Sequence, residues 1–208
     1  MRYLVNNWGR VLELTLAHLQ MAGVGVLLAI VIGVPLGILL TRLRWLETLV
    51  VGAAGVLYTV PSLALFTMLI PLMGLGAVST ITGLVVYSLF AIIRNTVAGI
   101  DGVDRLTLDA ARGMGMTDWQ QLVLVQLPLG LPVIVAGIRT ATVAAIGIAT
   151  IGAVVNAQNL GILILEGISR GNTDRLLAGV IAVSALALLA DWLLTRLSRA
   201  LRRDVITS

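Results

Sequence analysis

The chain has 208 residues, 59% of them hydrophobic and only 12% charged. Soluble domains run at about 45–50% apolar even with glycine included, and about 25% charged, and a single core of this size could not hide so much apolar surface from water. A soluble enzyme, a disordered chain and a fibre are therefore excluded, and a polytopic membrane protein is predicted. The absence of cysteine removes disulfide scaffolds, thiolate metal sites and cysteine nucleophiles together, and His18 alone cannot form a histidine metal cluster, so no metal site is expected. The formal charge of +4 comes from 14 arginines, with no lysine, against 10 acids. That is too small for a nucleic-acid footprint and reads as a topology signal.

Residues 1–20 are too charged to span, because Arg10, Glu13 and His18 would each be costly at bilayer depth. Leu4, Trp8, Leu12, Leu16 and Leu19 recur at helical spacing, which predicts an amphipathic N-terminal helix, lying at the interface or packed on the bundle. A membrane helix needs about 20 mainly apolar residues to cross about 30 Å of hydrocarbon. Residues 21–40 meet that length without a charge and read as a retained span, since no small-residue cleavage site lies nearby. Residues 49–72 form a second span, interrupted by Pro61 and Pro71, and residues 74–93 a third. Residues 133–155, with Arg139, make a fourth, and residues 176–194, with Asp191 near the end, a fifth. The prediction is an all-α bundle of about five transmembrane helices.

Arginine asymmetry orients it. With the N-terminus outside, the inner segments hold nine arginines (42, 44, 94, 105, 112, 196, 199, 202 and 203) and the outer ones four (2, 10, 170 and 175). This favours N-out, C-in, with a basic cytoplasmic tail over residues 196–208. Trp45 and Trp192 stand beside inner arginines, at the depth amphipathic rings prefer.

Spans three and four are joined by residues 95–131, a long connection for a bundle, where about 2–8 residues are usual. The stretch DRLTLDAA over 104–111 reads as a short helix with Asp104 as N-cap. Gly113 and Gly115 break it, because glycine accepts the left-handed conformation a helix end needs. Thr117 and Gln120 match a capping box for a second helix running toward Leu127 and Pro128, where proline marks the next boundary. A helical hairpin follows, carrying Ala110, Ala111, Gly113 and Gly115 as small residues that allow close approach. It either docks into a partner groove or lies along the membrane surface.

Asp109-Ala110-Ala111, then Gly115, Val125, Leu127 and Pro128 at their spacing, resembles the EAA loop of permease subunits of ABC importers, Glu-Ala-Ala-x3-Gly-x9-Ile-x-Leu-Pro. Only two positions depart, Asp109 for Glu and Val125 for Ile. TVPSLALF over 59–66, IPLMGLG over 70–76, IRNT over 93–96, ARGMGM over 111–116 and AGIRT over 136–140 are similar to osmoprotectant permeases, although methionine-type permeases share much of this scaffold. The resemblance implies a single permease domain over residues 1–208 in a bacterial inner membrane, importing glycine betaine, choline, carnitine or a related solute. It implies that Asp109, Ala110, Ala111, Gly113, Gly115, Leu127 and Pro128 couple to a cytoplasmic ATPase, with a second permease subunit, identical or paralogous, and an external solute-binding protein as further partners. The sequence carries no G-x-x-x-x-G-K-[ST] loop, so ATP and magnesium belong on the partner ATPase, and no cofactor is expected on this chain. An ion-coupled secondary transporter would instead call for ionisable residues at midplane and repeated halves, and neither is present in the sequence.

Four further readings concern the spans. Arg139 must snorkel, pair with an acid such as Asp191, or face a water-filled path. A quaternary ammonium solute favours aromatic faces, and Tyr58 and Tyr87 are the candidates for the substrate pathway. Gly33 and Gly37 have the spacing of a helix–helix contact; Ala141, Ala145, Ala149 and Ala153 form a second stripe, read as the packing seam of this span, with a second permease subunit as one candidate partner. The polar stretch 156–174 reads as a solvated outer loop, an external gate or a surface for a binding protein.

Overall fold

The computed structural model describes residues 2–207, with side chains described for all but Arg2, Val5 and residues 200–207. Every regular element among them is helical: α1 (Arg2–Asn6), α2 (Trp8–Arg42), α3 (Arg44–Thr59), α4 (Ser62–Met73), α5 (Ala77–Asp101), α6 (Arg105–Gly113), α7 (Asp118–Gln121), α8 (Leu127–Ala149), α9 (Gly161–Ser169) and α10 (Thr173–Thr207). A π turn (Leu122–Gln126) joins α7 to α8, and a 3-10 turn (Thr150–Val155) follows α8. Among the described residues four continuous helical stretches are long and apolar enough to cross a membrane. The fifth candidate span is not one helix but the pair α3–α4, bent by 102°. Val60 ahead of Pro61 is extended (φ −62°, ψ 131°), the conformation the proline ring imposes on its predecessor, so the span breaks there.

The bundle is built around α2, α5 and α8. Gly25, Gly33 and Gly37 line the face of α2 that meets α5, where a Cβ on Gly37 would stand 2.6 Å from Cβ of Thr96. The contact expected of Gly33 and Gly37 is therefore real, and α5 is its other side. Further along, α5 and α8 cross at Gly99 and Gly130, so close that a Cβ on Gly130 would lie 2.6 Å from the Gly99 carbonyl oxygen. This crossing carries α5 on to Asp101, well past the expected end at residue 93.

Of the two expected stripes, one is a seam inside this chain and the other faces outward. Ala141, Ala145, Ala149 and Ala153 are buried within this chain, Ala141 against Ala29 and Ile92, Ala145 and Ala149 against Phe66, Leu84 and Tyr87. The expected packing seam is present, but its partners are α2, α4 and α5 of this chain and not a second subunit. The N-terminal segment is not a helix of its own: beyond a turn at Asn7, α2 runs unbroken for 35 residues. It packs through Val11, Leu14 and His18, while Trp8, Leu12, Leu16 and Leu19 point outward. In lipid the surroundings are as apolar as leucine, so a leucine stripe gains nothing by turning inward. The interior combines apolar side chains such as Leu14, Phe66 and Leu84 with polar ones, His18, Ser79, Thr80, Ser88, Thr96 and Asn159 all being buried.

Residues 156–174 are ordered structure, not a solvated loop. Buried Asn159 donates to the Ala149 carbonyl (3.0 Å) and accepts from the Gly161 amide (2.7 Å), and α9 packs back on α10. Glu166 on α9 pairs with Arg175 at 2.8 Å and with Arg10 at 3.7 Å. At the far end of α10, Arg196 lies over the Trp192 ring at 4.8 Å, while the side chains of Arg202 and Arg203 in the expected basic tail lie outside the described residues.

Candidate functional site

The connection between α5 and α8 is the helical hairpin expected of it. Thr117 Oγ1 accepts from the Gln120 amide (3.3 Å) and Gln120 Oε1 accepts from the Thr117 amide (2.8 Å), a complete capping box. Gly115 takes φ +80°, where a side chain would be strained. Asp104 stands at the N-cap of α6, but its side chain caps nothing. Pro128 does not end the second helix. It occupies the first turn of α8, where its missing N–H is least felt, and the π turn ahead of it shifts the ladder so that the Leu127 amide reaches the Leu122 carbonyl.

The expected coupling residues divide into two groups. Asp109, Ala110, Gly113 and Gly115 are exposed on the hairpin, and Asp109 is paired with Arg112 at 3.1 Å. Ala111 is buried beneath them, and Leu127 and Pro128 are half-buried at the start of α8. Sequence reasoning passed over Leu106, Met114 and Trp119, three large apolar side chains left standing in the open on this hairpin, Trp119 at 70% exposure. Their signal was available, since a hairpin outside the spans has no lipid to meet and yet carries them.

Two arginines flanking the break between α2 and α3 hold the base of the hairpin. Arg42 donates to the Asp118 carbonyl (2.9 Å), and Arg44 grips both carboxylate oxygens of Asp101 (2.6 and 3.0 Å) while also reaching Glu47 (3.1 Å). A polar cavity of about 260 Å³ lies among them, lined by Arg42, Arg44, Asp101, Arg105, Arg112 and Asp118. Arg42 thus ties α7 to the end of α2, and Arg44 ties the start of α3 to the end of α5.

The other end of α3 carries the aromatic candidates. Tyr58 and Tyr87 meet edge to face with ring centroids 5.9 Å apart, and Tyr58 lies 5.0 Å from Phe90. The Tyr87 hydroxyl donates to the carbonyl of Val60, the group that the proline break leaves without a helical donor. Tyr87 is thus a buried brace for the bend, while Tyr58, at 41% exposure, presents its ring outward. A small cavity beneath them is lined by Ser88, Ala91, Thr140, Ala141, Ala144 and Ala145. Arg139 and Asp191, read from the sequence as a possible pair, are joined by two hydrogen bonds, Nε to Oδ1 at 2.6 Å and Nη2 to Oδ2 at 2.9 Å. Among the described residues no group of three or more His, Cys, Asp or Glu is placed to hold a metal.

Comparison with known proteins identifies this arrangement. Residues 24–203 match the family described as binding-protein-dependent transport system inner membrane component. The osmoprotectant import permease protein OsmW of Salmonella typhimurium is 46% identical over 200 residues, covering 94% of this chain and 93% of its own. The glycine betaine/carnitine/choline transport system permease protein OpuCB of Bacillus subtilis is 39% identical over 194 residues, covering 93% and 89%. In fold, the chain is similar to one in the inward-facing MetNI methionine ABC transporter, with TM-score 0.84 at 23% identity over 92% of this chain and 96% of the other. The chain is therefore a multi-pass membrane protein, and it belongs to the family of binding-protein-dependent transport system inner membrane components.

Proposed function

We propose that this chain is the membrane-spanning permease subunit of an ATP-driven importer of osmoprotectants such as glycine betaine, choline or carnitine. The observation that carries the reading is the likeness, over nearly the whole chain, to permeases named for those solutes. It sits in a bacterial inner membrane as N-out, C-in, with α6–α7 on the cytoplasmic side. A separate ATPase, which holds ATP and magnesium, grips Leu106, Met114 and Trp119 around the glycine turn. A solute-binding protein delivers the cargo from outside. A second permease subunit, identical or paralogous, completes the pathway, and the exposed faces of α3 and α4 are available to it. Closure of two ATPases draws two hairpins together; the hairpin is tied to α2 through Arg42 and is covalently continuous with α5 and α8, and the bend at Pro61 lets the Tyr58 wall tilt between outward and inward openings.

The fold alone would equally serve methionine or another amino acid, as the likeness to MetNI indicates. Uptake of radiolabelled glycine betaine, choline, carnitine, proline and methionine by membranes holding the complete set of subunits decides between them. Saturable, ATP-dependent uptake of the quaternary ammonium solutes is expected. Uptake of methionine without betaine or choline would overturn the reading, and failure of a nucleotide-binding subunit to co-purify with this chain would overturn the mechanism.

A further inference from the structure

A charge in hydrocarbon is costly, and intramembrane ionisable side chains accordingly turn toward protein or water. The Arg139–Asp191 pair is not enclosed by this chain: the two side chains keep 40% and 36% of their surface. They open into a groove of about 550 Å³ whose other lining residues are Ala136, Thr140, Val143 and Ala144, small enough to leave the charges accessible. Thr140 and Ala144, one helical turn apart, also line the cavity under Tyr58 and Tyr87. In that cavity Ser88 is 2% exposed and its Oγ has no hydrogen-bond partner. Along one wall of an otherwise apolar chain there follow two aromatic rings, an unpaired hydroxyl and an ion pair.

The guanidinium is only half used. It has five N–H donors, of which Nε and one Nη2 hydrogen bind Asp191, leaving Nη1 without a partner among the described residues on a side chain that lines the groove. An arginine edge of this kind takes a carboxylate through two parallel hydrogen bonds. We infer that Arg139 is the carboxylate-binding residue of a transit site for zwitterionic solutes, with the solute's quaternary ammonium lying against Tyr58. The inference rests on the transport reading above and adds to it a site and a solute class. Its electrostatics are favourable because a zwitterion brings no net charge: Arg139 and Asp191 already cancel, and each end of the solute meets a matching group. Asp191 keeps the guanidinium ionised and aimed, and is a positioning residue. A structural clasp between α8 and α10 is the competing account of the same two hydrogen bonds.

The two accounts separate on solute chemistry. Glycine betaine carries a carboxylate and choline does not, so the transporter complex is assayed for uptake of both, with membrane level and co-purification of the ATPase as controls. In the neutral pair R139Q/D191N, betaine uptake is expected to fall by about tenfold or more, the loss that goes with one charge-assisted hydrogen bond, while choline uptake stays within about twofold. In the exchanged pair R139D/D191R the ion pair is retained but the carboxylate anchor moves to the other helix, and betaine uptake remains low. Parallel loss of betaine and choline, or full recovery of betaine uptake in the exchanged pair, would overturn the site and leave the clasp. If the unmodified complex carries betaine but not choline, the exchanged pair decides alone. Uptake of neither solute by the unmodified complex marks a different failure, that of the transport reading itself.

Discussion

Helices α3 and α5 have similar apolar compositions and opposite fates. Twelve residues of α5 are buried, among them Gly83, Ile92, Thr96 and Gly99, and glycines from α2 and α8 close on it from both sides. In α3 no residue is buried, and Leu49, Val56, Leu57 and Tyr58 all stand exposed. In a membrane protein a helix is rigid where backbones approach closely and many small contacts add up, because lipid supplies no hydrophobic push. The region around α5 is thus the frame, while α3 is tied down mainly at its two ends, by Arg44 on Asp101 and by Tyr87 on Val60, and α4 beyond the break is anchored by buried Phe66. Motion belongs where those ties are few.

The sharpest way to break this contrast is a pair of glycine substitutions. Gly130→Val puts a side chain into the Gly99 backbone and should cost about 3 kcal/mol or more, read as loss of folded protein in the membrane and a lower unfolding temperature in detergent. Gly52→Val on α3 has nothing within 4 Å of the added Cβ and should leave both readings close to unchanged. Equal damage from the two would mean that α3 is packed after all, by a partner. Next in size is Gly115→Val, which forces a β-branched residue to φ +80° at about 1–2 kcal/mol of strain. Because the hairpin lies outside the frame, the protein should still accumulate, but ATP hydrolysis should no longer drive uptake; normal coupling would sink the role given to the turn. The smallest effect is expected of Tyr87→Phe. It removes one hydrogen bond, worth about 1 kcal/mol, from the Val60 carbonyl, and should alter the transport rate more than the unfolding temperature.

Much of this molecule was legible residue by residue. The capping box at Thr117 and Gln120, the turn at Gly113 to Gly115 and the Gly33–Gly37 contact are local patterns whose physics is complete within a few residues, and each is found in the structure. The Arg139–Asp191 pair was legible too, because two opposite charges near the same ends of two spans have few other partners. Misreadings arose where direction mattered. The alanine stripe of α8 is the expected packing seam, but its partners lie within this chain, and the leucine stripe of α2 faces outward instead of packing on the bundle, the other side the sequence left open. For a soluble helix, water makes the apolar side the inner one; with lipid outside, that inference loses its basis.

The order of apolar runs, their lengths, the proline at 61 and the spacing of the hairpin motif were sufficient to determine a helical membrane bundle with one protruding hairpin and a weak second span. They are one-dimensional properties, set by how much chain must cross the hydrocarbon and by where the backbone can turn. Only the tertiary structure decided that α2 continues to Trp8, that the second span folds back by 102°, and that Ser88, Thr140 and Arg139 share a wall with Tyr58. Those outcomes depend on which small residues from distant helices come within van der Waals reach of one another, and no periodicity within a single helix encodes that choice.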